Sequence, residues 1–384
     1  MKFKNNGKLK LLIIVGTRPE IIRLAAIIKK CRLYFDTILA HTGQNYDYNL
    51  NGIFFKDLHL ENPEVYLNAV GSDLGETLGN IIASTYKLMV EIKPEAVLVL
   101  GDTNSCLSVI GAKRLHIPIF HIEAGNRCFD ECLPEETNRR IVDVISDVNM
   151  CYSEHARRYL NASGVAKERT FVVGSPMAEV LSENMASIES SDVHKRLELE
   201  KGKYILLSAH REENIDTEEN FISLFTSINQ MAEKYDMPVL YSCHPRSKKR
   251  LEERNFKLDK RVICHEPLGF HDYNCLQMYA FAVVSDSGTL PEESSYFTSI
   301  GKPFPAVCIR TSTERPEALD KGVFILAGIS TDSLMQSIDT AVNMVKNGDN
   351  GIAVPTYQDE NVSSKVVKII QSYTGVVNKM VWRK

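Results

Sequence analysis

Long hydrophobic runs are missing from this 384-residue chain. Stretches such as Leu11–Val15 and Val97–Leu100 fall far short of the ~20 apolar residues a bilayer helix needs. No membrane span is expected. Near the N-terminus Lys2, Lys4, Lys8 and Lys10 precede only five apolar residues before Arg18. A secretory signal needs an apolar core of roughly 7–15 residues, so export is not expected and a cytoplasmic location is. An excess of one charge is missing too. Lysine and arginine total 45, aspartate and glutamate 49, for a net charge of −4. A dedicated nucleic-acid binder usually carries a basic excess, so the even balance argues against that class. A small anionic ligand needs only a local patch and is not excluded. Nine cysteines stand without a CxxC pair, which reads as reduced, buried thiols. Cys128 and Cys132 form a CxxxC spacing with no matching second pair. Ordinary packing is the expectation there, and no metal site is expected.

Several nucleotide and catalytic signatures are also absent. No GxGxxG follows a strand, so nothing supports a bound dinucleotide. No GxxxxGK[ST], HExxH or GxSxG occurs, which removes Walker-type NTPases, zinc proteases and nucleophile-elbow hydrolases. What is present is an ordinary globular balance, 44% apolar and 24% charged. At ~150 residues per domain this length fits two domains.

Short apolar runs recur along the chain, each followed by a turn and a helical pattern. Lys10–Val15 precedes Gly16-Thr17-Arg18-Pro19, and then Ile21, Leu24, Ala25 and Ile28 mark one helix face. Pro19 suits the first turn, where its missing N–H would be unpaired anyway. Thr37–Ala40, Ala96–Leu100, Pro118–Ile122, Val148–Tyr152 and Thr170–Val173 read as further strands, with a long helix over Leu74–Ile92. Tyr204–Ser208, Val239–Cys243, Val262–Cys264, Ala282–Ser285 and Ala306–Ile309 repeat the rhythm. Strands apolar throughout indicate parallel sheets covered on both faces. The expected fold class is therefore α/β, two doubly wound parallel-sheet domains with a cleft between them. The break is placed near Gly174–Ser175, giving domains 1–174 and 175–361. Leu181–Lys203 forms a polar connection, and Val362–Tyr373 a last amphipathic helix. That helix, within 362–384, is expected to pack back on the first domain.

In open α/β sheets ligands sit beyond the carboxyl ends of the strands. Those ends are polar here. They carry Arg18 and Glu20, His41-Thr42-Gly43-Gln44, Asp102, Glu123, His210-Arg211-Glu212, His244-Pro245-Arg246, Asp286-Ser287-Gly288-Thr289 and Arg310. Helix caps explain any one of these, Asp102 included. They do not explain an ionisable or hydroxyl group at nearly every strand end.

Two clusters stand out. Asp286–Glu293 reads as strand end, small-residue turn and helix start. Backbone N–H groups at such a turn, aided by the helix dipole, suit a diphosphate. Glu293 stands one turn in, placed for a ribose, while Arg18, Arg310 and Arg315 offer fork-shaped donors to phosphate. A plain N-capped helix is the competing reading. The second cluster is acidic: Glu123, Asp130, Glu131, Glu135 and Glu136, followed by Arg139 and Arg140. Dipole compensation accounts for a glutamate after Pro134. It leaves Glu123, directly after a buried strand and near Asp102, unexplained. Two carboxylates at neighbouring strand ends can divide acid and base work.

Together these motifs resemble the non-hydrolysing UDP-N-acetylglucosamine 2-epimerase family. The matching stretches are Gly16–Glu20, Gly101-Asp102-Thr103, His121–Gly125, Pro134–Arg139, His210-Arg211-Glu212, Asp286-Ser287-Gly288 with Glu292-Glu293, and Thr313–Glu317, in family order over nearly the whole chain. His41–Tyr46, Glu123–Asp130, Ser146–Asn149, Tyr152–Leu160, Gly174–Met177 and Ser208–Asp216 look like one branch of it. That branch converts UDP-2-acetamido-2,6-dideoxy-L-talose to UDP-N-acetyl-L-fucosamine for capsule or O-antigen polysaccharide. Gly288-Thr289 stands where the parent branch has a Gly-Gly pair, and Leu268 where it has a uracil-binding glutamine.

The resemblance implies two Rossmann-like domains of the GT-B type. It implies Arg18, Arg139, His210, Ser287, Gly288, Thr289, Glu293 and Arg315 against UDP. It implies Asp102, Glu123, Glu135 and His210 in catalysis, no cofactor, no nucleic-acid or membrane partner, and a homodimer. The substrate it implies is a UDP-2-acetamido sugar. C2 of such a sugar has no adjacent carbonyl, so direct deprotonation gives an unstabilised carbanion. Expelling UDP from C1 gives an alkene between C1 and C2 instead. Three alternatives compete: the glucosamine/mannosamine 2-epimerase of the same family, a GT-B glycosyltransferase and a silent sugar-nucleotide sensor.

Overall fold

The computed structural model describes residues 2–43, 54–209, 211, 217–243 and 245–384. The chain folds as two compact units, one of Met1–Ser182 with Asp359–Lys384, the other of Glu183–Gln358. Both are built on parallel sheets. In unit 1 the strands are β1 (Lys10–Val15), β2 (Asp36–His41), β3 (Val65–Tyr66), β4 (Ala96–Leu100), β5 (Ile119–Ile122), β6 (Val148–Cys151) and β7 (Thr170–Val172). Their spatial order is β3-β2-β1-β4-β5-β6-β7, with every pairing parallel. Unit 2 holds β8 (Ile205–Ser208), β9 (Val239–Ser242), β10 (Val262–His265), β11 (Ala282–Ser285), β12 (Ala306–Cys308) and β13 (Ile325–Leu326). Their order is β10-β9-β8-β11-β12-β13, again all parallel.

Each sheet reverses its winding beside its first strand, at β1/β4 and at β8/β11. That reversal opens a crevice at the carboxyl ends of the strands. Burial explains the composition of the strands. β1 is buried from Leu11 to Val15, and β4 throughout, because helices cover both faces. The edge strand β10 is half exposed. The core of unit 1 gathers Leu12, Ile14, Val97, Val99, Ile119 and Val142. That of unit 2 gathers Ile205, Leu207, Phe221, Phe225, Val284 and Ile338.

The segment expected as a polar connection is helical. A helix spans Met177–Glu189, followed by a short one at Val193–Arg196, so the passage between units falls inside a helix rather than in a loop. The last helix, Val362–Met380, belongs to unit 1. Ser363 N–H donates to the buried Glu179 carboxylate at 2.8 Å, and Lys365 Nζ to Val173 O at 3.0 Å. Among the described residues no helix is long and apolar enough to cross a membrane.

Candidate active site

Unit 1 supplies a carboxylate centre at the ends of β1, β4 and β5. Helix Arg18–Tyr34 starts directly after β1, with Pro19 in its first turn. Glu20 is fully buried. Its carboxylate accepts from Gly16 N–H at 3.0 Å, Thr17 Oγ1 at 2.8 Å and Ser105 Oγ at 2.5 Å. It thereby ties the β1 turn to the segment beyond Asp102. Burial raises its pKa, against those hydrogen bonds. Arg18 is half-buried, its guanidinium 5.3 Å from the centre of the Phe54 ring.

Asp102 and Glu123 follow adjacent strands, β4 and β5, and both are buried. Gly101 lies between them. A side chain there would begin 3.2 Å from Glu123 Oε2, on a backbone with φ of +81°. Each carboxylate has its own guanidinium. Arg139 NH2 lies 2.5 Å from Asp102 Oδ2. Arg23 NH1 donates to Glu123 Oε2 while its Nε reaches Pro19 O. Asn138 Nδ2 fixes the Asp102 backbone through its carbonyl, at 2.9 Å. Glu123 itself takes a φ of +68°, a backbone strained for a side chain of that size. Such strain persists only where the surroundings impose it, and it gathers at functional sites.

The surroundings do impose it. His121 Nε2 lies 2.9 Å from Gly101 O and its Nδ1 3.0 Å from Asp143 Oδ1. Asp143, fully buried, also accepts from Gly125 N–H at 3.1 Å and pairs with Arg127 at 2.6 Å. Gly125 has φ of +81°, and a side chain there would meet Ala156 O at 2.4 Å. Helix Pro134–Ile145 carries Glu135, Glu136 and Arg139. Glu136 is buried and accepts from Cys128 N–H and Arg139, both at 3.2 Å. Glu135 is half-buried in the same first turn. Cys128 is buried and Cys132 exposed. Among the described residues no group of three His, Cys, Asp or Glu is placed to hold a metal.

Unit 2 supplies the small-residue turn. Ser287, Gly288 and Thr289 lead from β11 into helix Leu290–Ser299. Ser287 Oγ and Thr289 Oγ1 lie 2.9 Å apart, and Thr289 Oγ1 donates to Glu293 Oε1 at 2.7 Å. Gln277 Nε2 donates to the other oxygen at 2.6 Å. Burial pushes the Glu293 carboxyl up. Gly288 lies open to the Glu314 carboxylate, whose Oε1 would be 2.9 Å from an added Cβ. Arg310, buried, holds the other Glu314 oxygen at 2.6 Å. Arg211 donates to the Asp286 carboxylate and carbonyl. Arg315 is buried, with Nε and NH2 both on Glu292 Oε1.

Asp102, Glu123 and Arg139 thus fall in unit 1, and Ser287, Gly288, Thr289, Glu293 and Arg315 in unit 2, where the Arg315 guanidinium lies on Glu292. Arg139, placed against UDP by resemblance, has its guanidinium on Asp102 and Glu136. His210, Gln44–Tyr46 of the His41 motif, Glu212–Asp216 and His244 lie outside the described residues. Four residues of this geometry escaped the sequence reading as functional groups: Arg23, Asp143 and Gln277, and Glu20 in its tying role. Arg23 had a signal, being the one charge inside the apolar run Ile21–Ile28.

Comparison with known proteins decides the family. The profile described as UDP-N-acetylglucosamine 2-epimerase matches residues 29–371. The chain belongs to the UDP-N-acetylglucosamine 2-epimerase family. It is therefore an enzyme of the isomerase class. The structure of UDP-N-acetylglucosamine 2-epimerase from Rickettsia bellii is 41% identical, with a TM-score of 0.89, covering 98% of this chain and 100% of that one. The Methanocaldococcus jannaschii UDP-GlcNAc 2-epimerase in complex with UDP-GlcNAc and UDP is 32% identical. Its TM-score is 0.87, with 97% of this chain and 99% of that chain covered. A relative from Pseudomonas aeruginosa, UDP-2,3-diacetamido-2,3-dideoxy-D-glucuronate 2-epimerase, is 30% identical over 366 residues, 94% of this chain and 99% of its own. Within the UDP-N-acetylglucosamine 2-epimerase family, the two parallel-sheet units are the Rossmann-like pair of the GT-B type.

Proposed function

We propose that this 2-epimerase inverts C2 of a UDP-2-acetamido sugar by expelling and re-adding UDP. The observation that carries the reading is the pair of buried carboxylates, Asp102 and Glu123, at the ends of adjacent strands. In the first half-reaction one carboxylate takes the C2 proton as the C1–O bond breaks, leaving a C1=C2 alkene and the UDP anion. In the second, UDP oxygen reattaches to C1 as a protonated carboxyl delivers hydrogen to the other face of C2. Atoms and electrons balance with no net oxidation. Acid and base groups of this kind contribute about 10²–10⁴-fold each.

Asp102, Glu123 and Glu135 are the proposed catalytic acids and bases, with His210. The UDP anion falls to Arg18, His210, Ser287, Gly288, Thr289, Glu293 and Arg315. Fixed donors stabilise a departing anion without reorganising. Arg139 acts by holding Asp102, as its 2.5 Å contact supports. Glu293, oriented by Thr289 and Gln277, is placed to accept from a ribose hydroxyl.

For the sugar we propose UDP-2-acetamido-2,6-dideoxy-L-talose, giving UDP-N-acetyl-L-fucosamine for surface polysaccharide. Leu268 is buried where the parent branch has a uracil-binding glutamine, and Thr289 replaces a glycine. The names of the relatives favour a second reading, UDP-N-acetylglucosamine to UDP-N-acetylmannosamine. Offering both nucleotide sugars side by side and following their anomeric NMR signals separates the two. Epimerised nucleotide sugar formed without an acceptor excludes a glycosyltransferase. Asp102→Asn and Glu123→Gln should each abolish turnover while UDP still binds; normal rates in both would sink the assignment. A cytoplasmic homodimer is the proposed working form, and a monomer mass by light scattering would overturn it.

A further inference from the structure

Helix Pro134–Ile145 carries an acid that its own stability does not call for. Asp143 lies in the last turn, where a carboxylate opposes the helix dipole. It is also fully buried, and a buried charge is costly unless it is paired. Its pairing with Arg127, itself buried, does not by itself explain the acid. Apolar residues of like volume often serve the fold as well as a buried ion pair, or better.

What the Asp143 carboxylate does is draw in the chain on both sides of Glu123. Two residues before Glu123, His121 places Nδ1 3.0 Å from Oδ1. Two residues after it, Gly125 N–H donates to both oxygens, at 3.1 and 3.2 Å. Further on, Arg127 NH1 lies 2.6 Å from Oδ2. Between these anchors Glu123 is held at φ of +68°, which a glutamate adopts only under constraint. Asp143 is fixed in turn, because its carbonyl accepts from Asn149 Nδ2 of β6 at 3.0 Å. The His121 ring, fully buried, also reaches β4's end, with Nε2 2.9 Å from Gly101 O. Gly101 directly precedes Asp102. One buried acid therefore anchors the backbone around Glu123, and one ring links it to the backbone beside Asp102.

We propose that Asp143 is a positioning residue for the epimerisation, holding the Glu123 carboxyl where it exchanges a proton with C2. This rests on the epimerase reading above. Asp143 works through backbone and through His121, Gly125 and Arg127, all of unit 1. The turn proposed for UDP belongs to unit 2. Losing the Asp143 anchor should therefore slow the proton transfer and leave nucleotide binding alone.

The test is Asp143→Asn in the full-length enzyme. The amide matches the carboxyl in size, but its N–H₂ replaces one acceptor and faces either Arg127 or the His121 and Gly125 donors. Steady-state rates are measured on UDP-2-acetamido-2,6-dideoxy-L-talose and UDP-N-acetylglucosamine, per folded enzyme counted by near-UV circular dichroism, with UDP affinity by calorimetry. On the sugar that wild type epimerises, kcat should fall on the order of 10²-fold, the scale of a displaced catalytic group. KM and UDP affinity should stay at wild-type values. With substrate deuterated at C2, the isotope effect on kcat should equal or exceed that of wild type, because the slowed step is the proton transfer. His121→Gln, which removes the ring between Gly101 O and Asp143, repeats the test should Asp143→Asn fail to fold. Wild-type kcat per folded enzyme overturns the proposal. So does a loss carried by KM, or one accompanied by a smaller isotope effect. A wild-type enzyme that epimerises neither sugar defeats the functional reading instead, whatever Asp143 does.

Discussion

His41 shows how burial at one residue sets a property of the whole protein. It ends β2, almost fully buried, and its Nδ1 accepts from Gly43 N–H at 2.9 Å. Burial lowers its pKa from 6.5 to about 4. In the unfolded chain the ring takes a proton below its ordinary value, while the folded chain keeps it neutral. The stability it contributes is therefore complete above pH 6.5 and lost as pH falls toward 4. Between pH 7 and pH 5 the loss should be about 2 kcal/mol. Urea unfolding of wild type and His41→Gln at both pH values checks this; parallel losses in the two proteins would refute it. The site residues differ in how visible they were. Asp102 and Glu123 were legible because strand ends are where an open sheet binds. Arg23 was not read, although it stood alone in an apolar run. Its pairing with Glu123 joins positions 100 apart in sequence, and no local pattern encodes that. The strain at Glu123 was equally hidden, since backbone angles of non-glycine residues leave no mark on composition.

At the scale of elements, turns rather than strands hold the carboxylate centre in place. Gly125 shows why one of these positions has to be glycine. Its N–H serves the Asp143 carboxylate, its φ is +81°, and Ala156 O leaves no room for a Cβ. Gly125→Ala should destabilise unit 1 by roughly 2 kcal/mol or more, and should displace Glu123 enough to remove activity. A chemical-denaturation midpoint matching wild type would show the turn to be more compliant than its geometry indicates. The strands themselves were largely legible. Apolar runs such as Lys10–Val15, Ala96–Leu100 and Ala282–Ser285 match β1, β4 and β11 residue for residue. β3 and β13 have two residues each, too few for any periodicity to register. Leu181–Lys203 reads as a polar connection because charged residues dominate its composition, yet it is largely helical and buries Leu181, Ile188 and Val193.

At the scale of the molecule, each unit takes one share of the proposed reaction's charge: carboxylates in unit 1, the small-residue turn in unit 2. The net charge of −4 conceals that division. Unit 1 is completed only by Asp359–Lys384, whose helix buries Val362, Val366, Ile370 and Val377. Deleting 359–384 should leave unit 2 protected and unit 1 open to limited proteolysis. A truncated protein that resists protease throughout would contradict this.

That same return crossing bears on how the protein is made. Unit 2 is one unbroken stretch, Glu183–Gln358, and can close once the helix Thr331–Asn347, which brings Ile338 to its core, has left the ribosome. Unit 1 emerges earlier but lacks the helix Val362–Met380 until unit 2 has been made. The half made earliest is thus finished last, and it waits with an apolar face uncovered while the later half folds. A chain released after Gln358 would present a finished unit 2 beside an unfinished unit 1, a state that invites a chaperone.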